Sequence, residues 1–71
     1  MKLKIEKSAL AAWPYKVKLH YEHFENIFQC VDINHWLDKS GIKYEVATDY
    51  YGSTWFLKEE SDAMMFILRW Q

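Results

Sequence analysis

Residues 44–70, YEVATDYYGSTWFLKEESDAMMFILRW, decide the fold of this chain. Polar and apolar residues alternate in segments 44–46 and 53–57, as they do in strands, and segment 49–52 has the Asp and Gly ends of a type I turn. The spacing then becomes helical, with apolar residues at Ala63, Phe66, Ile67 and Trp70. The stretch predicts a hairpin followed by a helix whose apolar residues face the sheet.

Residues 64–70 also fit a fifth strand, because every second residue from Met64 to Trp70 is large and apolar. Period alone does not decide so short an apolar run. The helix is favoured because Ser61 can cap it by accepting a backbone N–H, and because Asp62 complements the positive end of a helix dipole.

The first part of the chain predicts two strands, over 1–7 and 15–21, then a helix near 22–39 and a third strand over 42–48. Gly41 is placed to end the helix in a left-handed conformation. One arc of this helix is apolar apart from its last member: Phe24, Ile27, Phe28, Val31 and His35. The opposite side is polar and holds Glu22, Glu25, Gln29 and Asp32. Trp36 projects onto that polar side, so we expect an exposed ring.

These elements predict an α+β fold, with a small antiparallel sheet of three to four strands and two helices on one face, in the order β-β-α-β-β-α. The order resembles the split β-α-β arrangement of ferredoxin-like domains, and residues 56–63 resemble the passage from third strand to second helix in RNA-recognition and small regulatory domains. The usual closing strand is missing after Gln71. Residues 2–7 fill that edge, or the edge pairs with another copy.

The end of the chain carries a second resemblance. Residues 62–70, DAMMFILRW, resemble the Asp-Ala-x-x-Phe-x-Leu-x-Trp tail of short accessory proteins of tailed phages. The resemblance implies an origin and no particular activity.

Composition predicts one compact domain over residues 1–71, since the chain is 51% hydrophobic and 18% aromatic, with two Gly and one Pro. So many rings exceed what a small core encloses, and surface aromatics tend to serve interfaces. Cys30 is the single cysteine. It excludes an internal disulfide, and no secretion signal or membrane-length apolar run is present, so we expect a soluble cytoplasmic protein.

Candidate catalytic and metal-binding groups do not form a convincing set. His20 and His23 have a spacing that suits two metal ligands, but Cys30 and His35 point in different directions on a helix and complete neither a zinc site nor a nucleophile–base pair. We expect Cys30 to be a small buried hydrophobe and His35 to be partly buried. The sequence therefore predicts a non-enzymatic protein without a metal or cofactor.

Two surfaces remain as candidates for function. The first is an interface for a protein partner or a second copy, formed by Trp36, the apolar flank of the last helix and acidic residues of the first: Trp36, Met64, Met65, Leu68, Glu25 and Asp32. The leading hypothesis is a small interaction module that self-associates or binds and modulates a larger protein.

The alternative surface is basic. Residues 1–21 carry five lysines and one glutamate, and alternation places several basic side chains on the outer sheet face: Lys16, Lys18, His20 and Lys43, with Lys2 and Lys4 from the first strand. Such a face suits single-stranded nucleic acid if aromatic rings accompany the cations. The pattern does not decide whether Trp55 or Phe56 faces outward.

Overall fold

A computed structural model describes residues 3–22 and 25–71 and confirms the α+β class. Lys2, His23, Phe24 and the side chain of Glu25 lie outside the described part. The elements follow the predicted order: β1 Leu3–Lys7, β2 Tyr15–His20, α1 Glu25–Ser40, β3 Tyr44–Thr48, β4 Gly52–Leu57 and α2 Glu60–Trp70. Helix α2 resolves the ambiguity over residues 64–70 in favour of the helix.

The four strands form one antiparallel sheet in the order β1-β2-β4-β3. Strands β2 and β3 are therefore parallel, with α1 between them along the chain and β4 between them in the sheet, which is the predicted split β-α-β arrangement. Strand β1 pairs with the free side of β2. It thus occupies the edge beside β2, which is the first of the two predicted alternatives.

Both helices cover the same face of the sheet. Trp55, at the centre of β4, donates a hydrogen bond to Asn34 of α1 and packs against Phe66 of α2. The fully buried side chains include Val17 and Leu19 from β2, as the alternation predicted. Phe56 has the opposite parity and lies on the uncovered face, which settles the question that the sequence left open.

Strand β4 lies close to the backbone of β2 at Gly52. A Cβ atom at this position would collide with the carbonyl oxygen of Leu19, so only glycine fits. The neighbouring pairs Leu19–Ser53 and Val17–Trp55 follow from this register. Gly52 therefore has a backbone reason to be glycine that the turn pattern alone does not reveal.

Gly41 ends α1 as predicted, with φ of 71°. Its N–H donates to the carbonyl of Asp38 at 3.3 Å, and the N–H of Ile42 donates to Leu37 at 3.2 Å. These two bonds form a Schellman motif, and the buried side chains of Ile42 and Leu37 supply its apolar contact.

The predicted buried arc of α1 is wrong. The core side of the helix holds Cys30, Ile33 and Leu37. The described members of the predicted arc are exposed: Ile27, Phe28, Val31 and His35. The helix carries two apolar stripes, and the sheet covers the one that holds Ile33 and Leu37. On this side Asn34 accepts a hydrogen bond from the Nε1 atom of Trp55, and the Cys30 thiol donates to Ser53.

The predicted cap of α2 is also wrong. The helix begins at Glu60, two residues earlier than a Ser61 cap implies, and the extended Glu59 at the N-cap makes no side-chain capping bond. Ser61 consequently lies inside the first turn. The carboxylates of Glu60 and Asp62 in this turn interact favourably with the positive end of the helix dipole. Their charge therefore stabilises the start of the helix, which we had expected the Ser61 hydroxyl to do.

We predict that Gly52→Ala lowers the free energy of unfolding by about 2 kcal/mol or more, because the collision is with backbone that cannot rotate away. Gly41→Ala is the matched control. A Cβ there has open space and meets only the positive φ, which costs about 1 kcal/mol. Urea unfolding followed by tryptophan fluorescence measures both values, and equal losses would contradict the close approach.

Candidate interaction surfaces

The outward side of α2 is apolar. Ala63 and Phe66 are fully buried on its inner side, whereas Leu68 is 80% exposed and Met64 and Met65 are each about half exposed. We call Met64, Met65 and Leu68 the α2 outer face. The sequence placed these residues on the flanks and back of the helix, and the structure confirms that position. In the described part of the chain the segment 9–13 does not cover them.

Trp36 is not the exposed ring that we expected. It is partly buried and makes edge-to-face contacts with Phe66 and Trp70, with ring centroids 6.1 and 6.3 Å apart. Since both rings belong to α2, Trp36 joins the two helices and supports the α2 outer face from behind. Asp32, one turn earlier on α1, is exposed as predicted. Glu25 has no described side chain, so its predicted role stays a prediction.

A second apolar stripe lies on α1 and was missed as a surface. Ile27 and Val31 are about half exposed, and Phe28 more so. Asp38 lies on the same flank of the helix and accepts a hydrogen bond from the Tyr44 hydroxyl at 3.0 Å. This contact shows that the flank faces β3. The periodicity was visible in the sequence, but we interpreted it as the core side.

The uncovered sheet face brings several predicted basic residues together. Strand pairing sets Lys4 beside Lys18 and Glu6 beside Lys16, while His20 follows on β2. Lys16 forms an ion pair of 3.8 Å with Glu6, which neutralises part of the positive charge.

The outward ring of Phe56 lies at the centre of this face. Strand pairing puts it beside Lys16 on one side and beside Glu45 on the other. Lys43 is exposed just before β3, so β4 separates it from the lysines of β2. The structure therefore joins three of the four predicted residues and leaves Lys43 at the opposite edge.

The turn between β3 and β4 presents two exposed aromatic rings. Tyr50 is 89% exposed, and its ring packs edge-to-face against that of Tyr51 at 5.5 Å. The carboxylate of Asp49 accepts hydrogen bonds from the backbone N–H groups of Tyr51 at 2.8 Å and Gly52 at 3.0 Å. These two bonds hold the turn in place. Sequence reasoning identified the turn and overlooked its rings, although residues at the middle of a tight turn point away from the sheet.

A small cluster of hydroxyl groups lies under the sheet and carries no catalytic arrangement. The buried Ser53 Oγ lies 2.6 Å from the Tyr21 hydroxyl and 3.0 Å from Thr48 Oγ1, and the Cys30 thiol donates to it at 3.3 Å. Burial raises the pKa of Tyr21 above its usual 10.0, so its hydroxyl stays protonated. The cluster satisfies buried polar atoms, and no titratable base touches it within the described residues.

A shallow groove of about 640 Å³ runs beside the start of β3. Trp13, Ile42, Lys43 and Tyr44 line it, and the Lys58 ammonium lies 4.9 Å from the centre of the Trp13 ring. The groove is wide open to solvent. It lies at the end of the sheet where β3 begins and β4 ends.

Other comparisons add little. Among residues 3–22 and 25–71, no three His, Cys, Asp or Glu side chains are grouped so that they could hold a metal ion. None of the helices in those ranges has the length and apolar character needed to cross a bilayer. Comparisons with protein-family models, curated proteins and solved structures find no match for this chain.

We predict that stability falls as pH rises above about 10, partly through Tyr44. Burial raises the pKa of Tyr44 above 10.0, and the hydrogen bond and negative charge of Asp38 raise it further. As the pH rises above 10, the Tyr44 hydroxyl loses its proton in the unfolded chain while it keeps the proton in the folded protein. The contribution of Tyr44 to the free energy of unfolding, which is complete below pH 10, is therefore lost. Urea unfolding of Tyr44→Phe should show a shallower decline than wild type.

The control for this experiment is Tyr50→Phe, which removes an exposed hydroxyl that has no partner among the described residues. It should follow the wild-type decline. Identical declines for wild type and Tyr44→Phe would refute the role of the Asp38–Tyr44 contact.

Proposed function

We propose that this chain is a non-enzymatic interaction module that binds a larger protein through the α2 outer face. The observation that carries the proposal is the 80% exposure of Leu68 between the two half-exposed methionines, on a helix whose other side is buried. Monomeric proteins seldom expose a continuous apolar patch without a use for it. Methionine suits such a surface because its flexible thioether adapts to a partner.

The face is held rigidly, which favours binding. Ala63 and Phe66 fix the inner side of α2 in the core, and Trp36 packs against Phe66 and Trp70. A partner therefore meets side chains on a preformed helix and does not have to order the backbone, so less entropy is lost on association.

The charges around the face indicate the chemistry of the partner. Glu60 and Asp62 lie in the first turn of α2, and Asp32 is exposed on the neighbouring helix. The complementary surface is an apolar groove with lysines and arginines at its rim. Acidic groups outnumber the single Arg69 of the last turn around this face, which favours a different protein over a second copy as the partner at this site. A cytoplasmic accessory protein of a tailed phage, which modulates a larger protein by binding it, is the form of the proposal that the carboxyl-terminal resemblance favours.

We predict that Leu68→Glu raises the Kd for the partner at least tenfold, because it buries a carboxylate in the apolar contact. A photo-crosslinking amino acid at position 64 can trap the partner, which is then purified and titrated against purified wild-type and Leu68→Glu protein by calorimetry. Affinity for wild type should also weaken with salt, as expected for a basic rim.

Ser40→Glu is the matched control, since it adds the same charge at an exposed polar position at the end of α1. It should leave the Kd within about twofold of wild type. A purified partner that binds wild type and Leu68→Glu equally well would contradict the proposal, and so would failure to trap any protein in cells that express the chain.

The uncovered sheet face supports a second candidate, the binding of single-stranded nucleic acid. Lys4, Lys16, Lys18 and His20 share this face with the outward ring of Phe56, and both helices lie on the other side. Cations that follow phosphates beside a ring that stacks on a base form a common single-strand platform. Glu6 and Glu45 on the same face reduce its attraction for phosphate, which is why this candidate comes second.

We predict that, if this second function operates, labelled single-stranded DNA or RNA binds at low salt and the affinity falls steeply as salt rises. Lys16→Glu/Lys18→Glu should abolish the fluorescence anisotropy change. Lys39→Glu/Arg69→Glu makes the same change in net charge on the helices and should retain binding. Absence of binding by wild type at low salt would exclude this function.

A further inference from the structure

The outer edge of β3 is an unpaired strand edge. The N–H of Asp49 donates to the carbonyl of Gly52, so 49–52 is a hydrogen-bonded pair of the antiparallel β3–β4 ladder. Along an antiparallel ladder, hydrogen-bonded pairs alternate with pairs that are not hydrogen-bonded. Ala47 and Glu45 are therefore the next residues of β3 whose backbone groups bond to β4. The N–H and C=O groups of Tyr44, Val46 and Thr48 therefore point outward. No backbone hydrogen bond reaches them within the described ranges.

We propose that two copies of this chain pair through β3, as antiparallel strands related by a two-fold axis at Val46. The two four-stranded sheets then become one continuous sheet of eight. This inference goes beyond the proposed function, because it assigns a different surface and a different partner. It does not depend on binding at the α2 outer face.

Charge selects this register among the possible ones. With the axis at Val46, Tyr44 lies opposite the partner's Thr48, and Lys43 lies opposite the partner's Asp49, so unlike charges meet. An axis at Glu45 would oppose two glutamates directly, and an axis at Ala47 would set Glu45 against the partner's Asp49. Pairing about Val46 also overlaps all five residues of the strand.

The same pairing covers apolar surface that is otherwise exposed. Val46 is 39% exposed although it lies on the helix side of the sheet, and the exposed Ile27 and Val31 lie on the flank of α1 that faces β3. The two-fold axis brings both copies of this stripe to the same side of the joined sheet, around the two Val46 side chains. Burial of these groups adds a hydrophobic contribution to the backbone hydrogen bonds.

The exposed turn and the shallow groove fit the same pairing. Beyond Asp49, the antiparallel register places the partner's Tyr50 beside Ile42, which lines the groove at the start of β3. Tyr50 is the large hydrophobic side chain with the highest exposure among the described residues. The proposed axis thus brings a projecting ring to an open groove twice, once at each end of the paired strands.

The other sheet edge is less suited to self-pairing. Three of the five residues of β1 are charged, namely Lys4, Glu6 and Lys7, and α2 packs beside this strand. Charged residues and covering helices are common protection for edge strands. Strand β3 has a single charge, Glu45, and neither a proline nor a bulge.

Cysteine crosslinking tests the register. In a hydrogen-bonded antiparallel pair, opposed Cα atoms are about 5.5 Å apart, which a disulfide can span. Val46→Cys should therefore form a covalent dimer under mild oxidation. Thr48→Cys is the matched control on the same strand and face, because its two copies would lie about 14 Å apart. Both variants retain the buried Cys30, so its contribution is equal in the two.

Sedimentation equilibrium tests the dimer itself. Wild type should show a monomer–dimer equilibrium, and Tyr50→Ala should raise the dimer Kd at least fivefold. Val46→Pro should be monomeric with an unchanged far-ultraviolet circular dichroism spectrum, since the N–H that it removes points away from β4. If Val46→Pro fails to fold, the crosslinking and Tyr50→Ala results still decide the question.

Three results would overturn the proposal: a wild-type protein that is monomeric up to millimolar concentration, crosslinking of Thr48→Cys in preference to Val46→Cys, or a dimer that Tyr50→Ala leaves unchanged. Leu68→Glu separates this proposal from the proposed function. It should leave the β3 dimer intact while it weakens binding at the α2 outer face, so either proposal can fail alone.

Discussion

The close approach of β2 and β4 at Gly52 is the constraint on which the rest of the structure depends. Because the Leu19 carbonyl occupies the space that a Cβ would need, the observed register of the two central strands requires glycine at position 52. That register sets Val17 beside Trp55 and Lys16 beside Phe56. Trp55 therefore enters the core and Phe56 lies beside a lysine on the uncovered face, so the register that Gly52 permits shapes both sheet faces.

The inward position of Trp55 also links the sheet to α1. Its indole N–H is buried and needs an acceptor, which Asn34 supplies at 2.7 Å. With Asn34 turned towards the sheet, Cys30, Ile33 and Leu37 form the buried side. The second apolar stripe of the helix must then face β3 and solvent. The apolar surface beside the open strand edge is therefore the stripe of α1 that the core leaves uncovered.

Much of the fold could be predicted from the sequence, because it rests on local signals. Alternation identified the strands, Gly41 identified the end of α1, and the change of period after Leu57 identified α2. The errors concern choices that depend on partners far away along the chain. A helical wheel cannot rank two apolar stripes when the residues that cover one of them, such as Trp55, lie far along the chain. The exposure of Trp36 was misjudged for the same reason, since its neighbours belong to α2.

Separate surfaces allow the two proposed associations to operate together. The helix layer is acidic around an apolar centre, whereas the uncovered sheet face is basic, and the β3 edge between them carries little charge. Pairing at this edge keeps both helix layers on one side of the joined sheet and leaves both α2 outer faces accessible. A dimer would then present two identical sites to a larger protein. If that protein is itself symmetric, the second contact is intramolecular, and avidity exceeds what one small helix face provides.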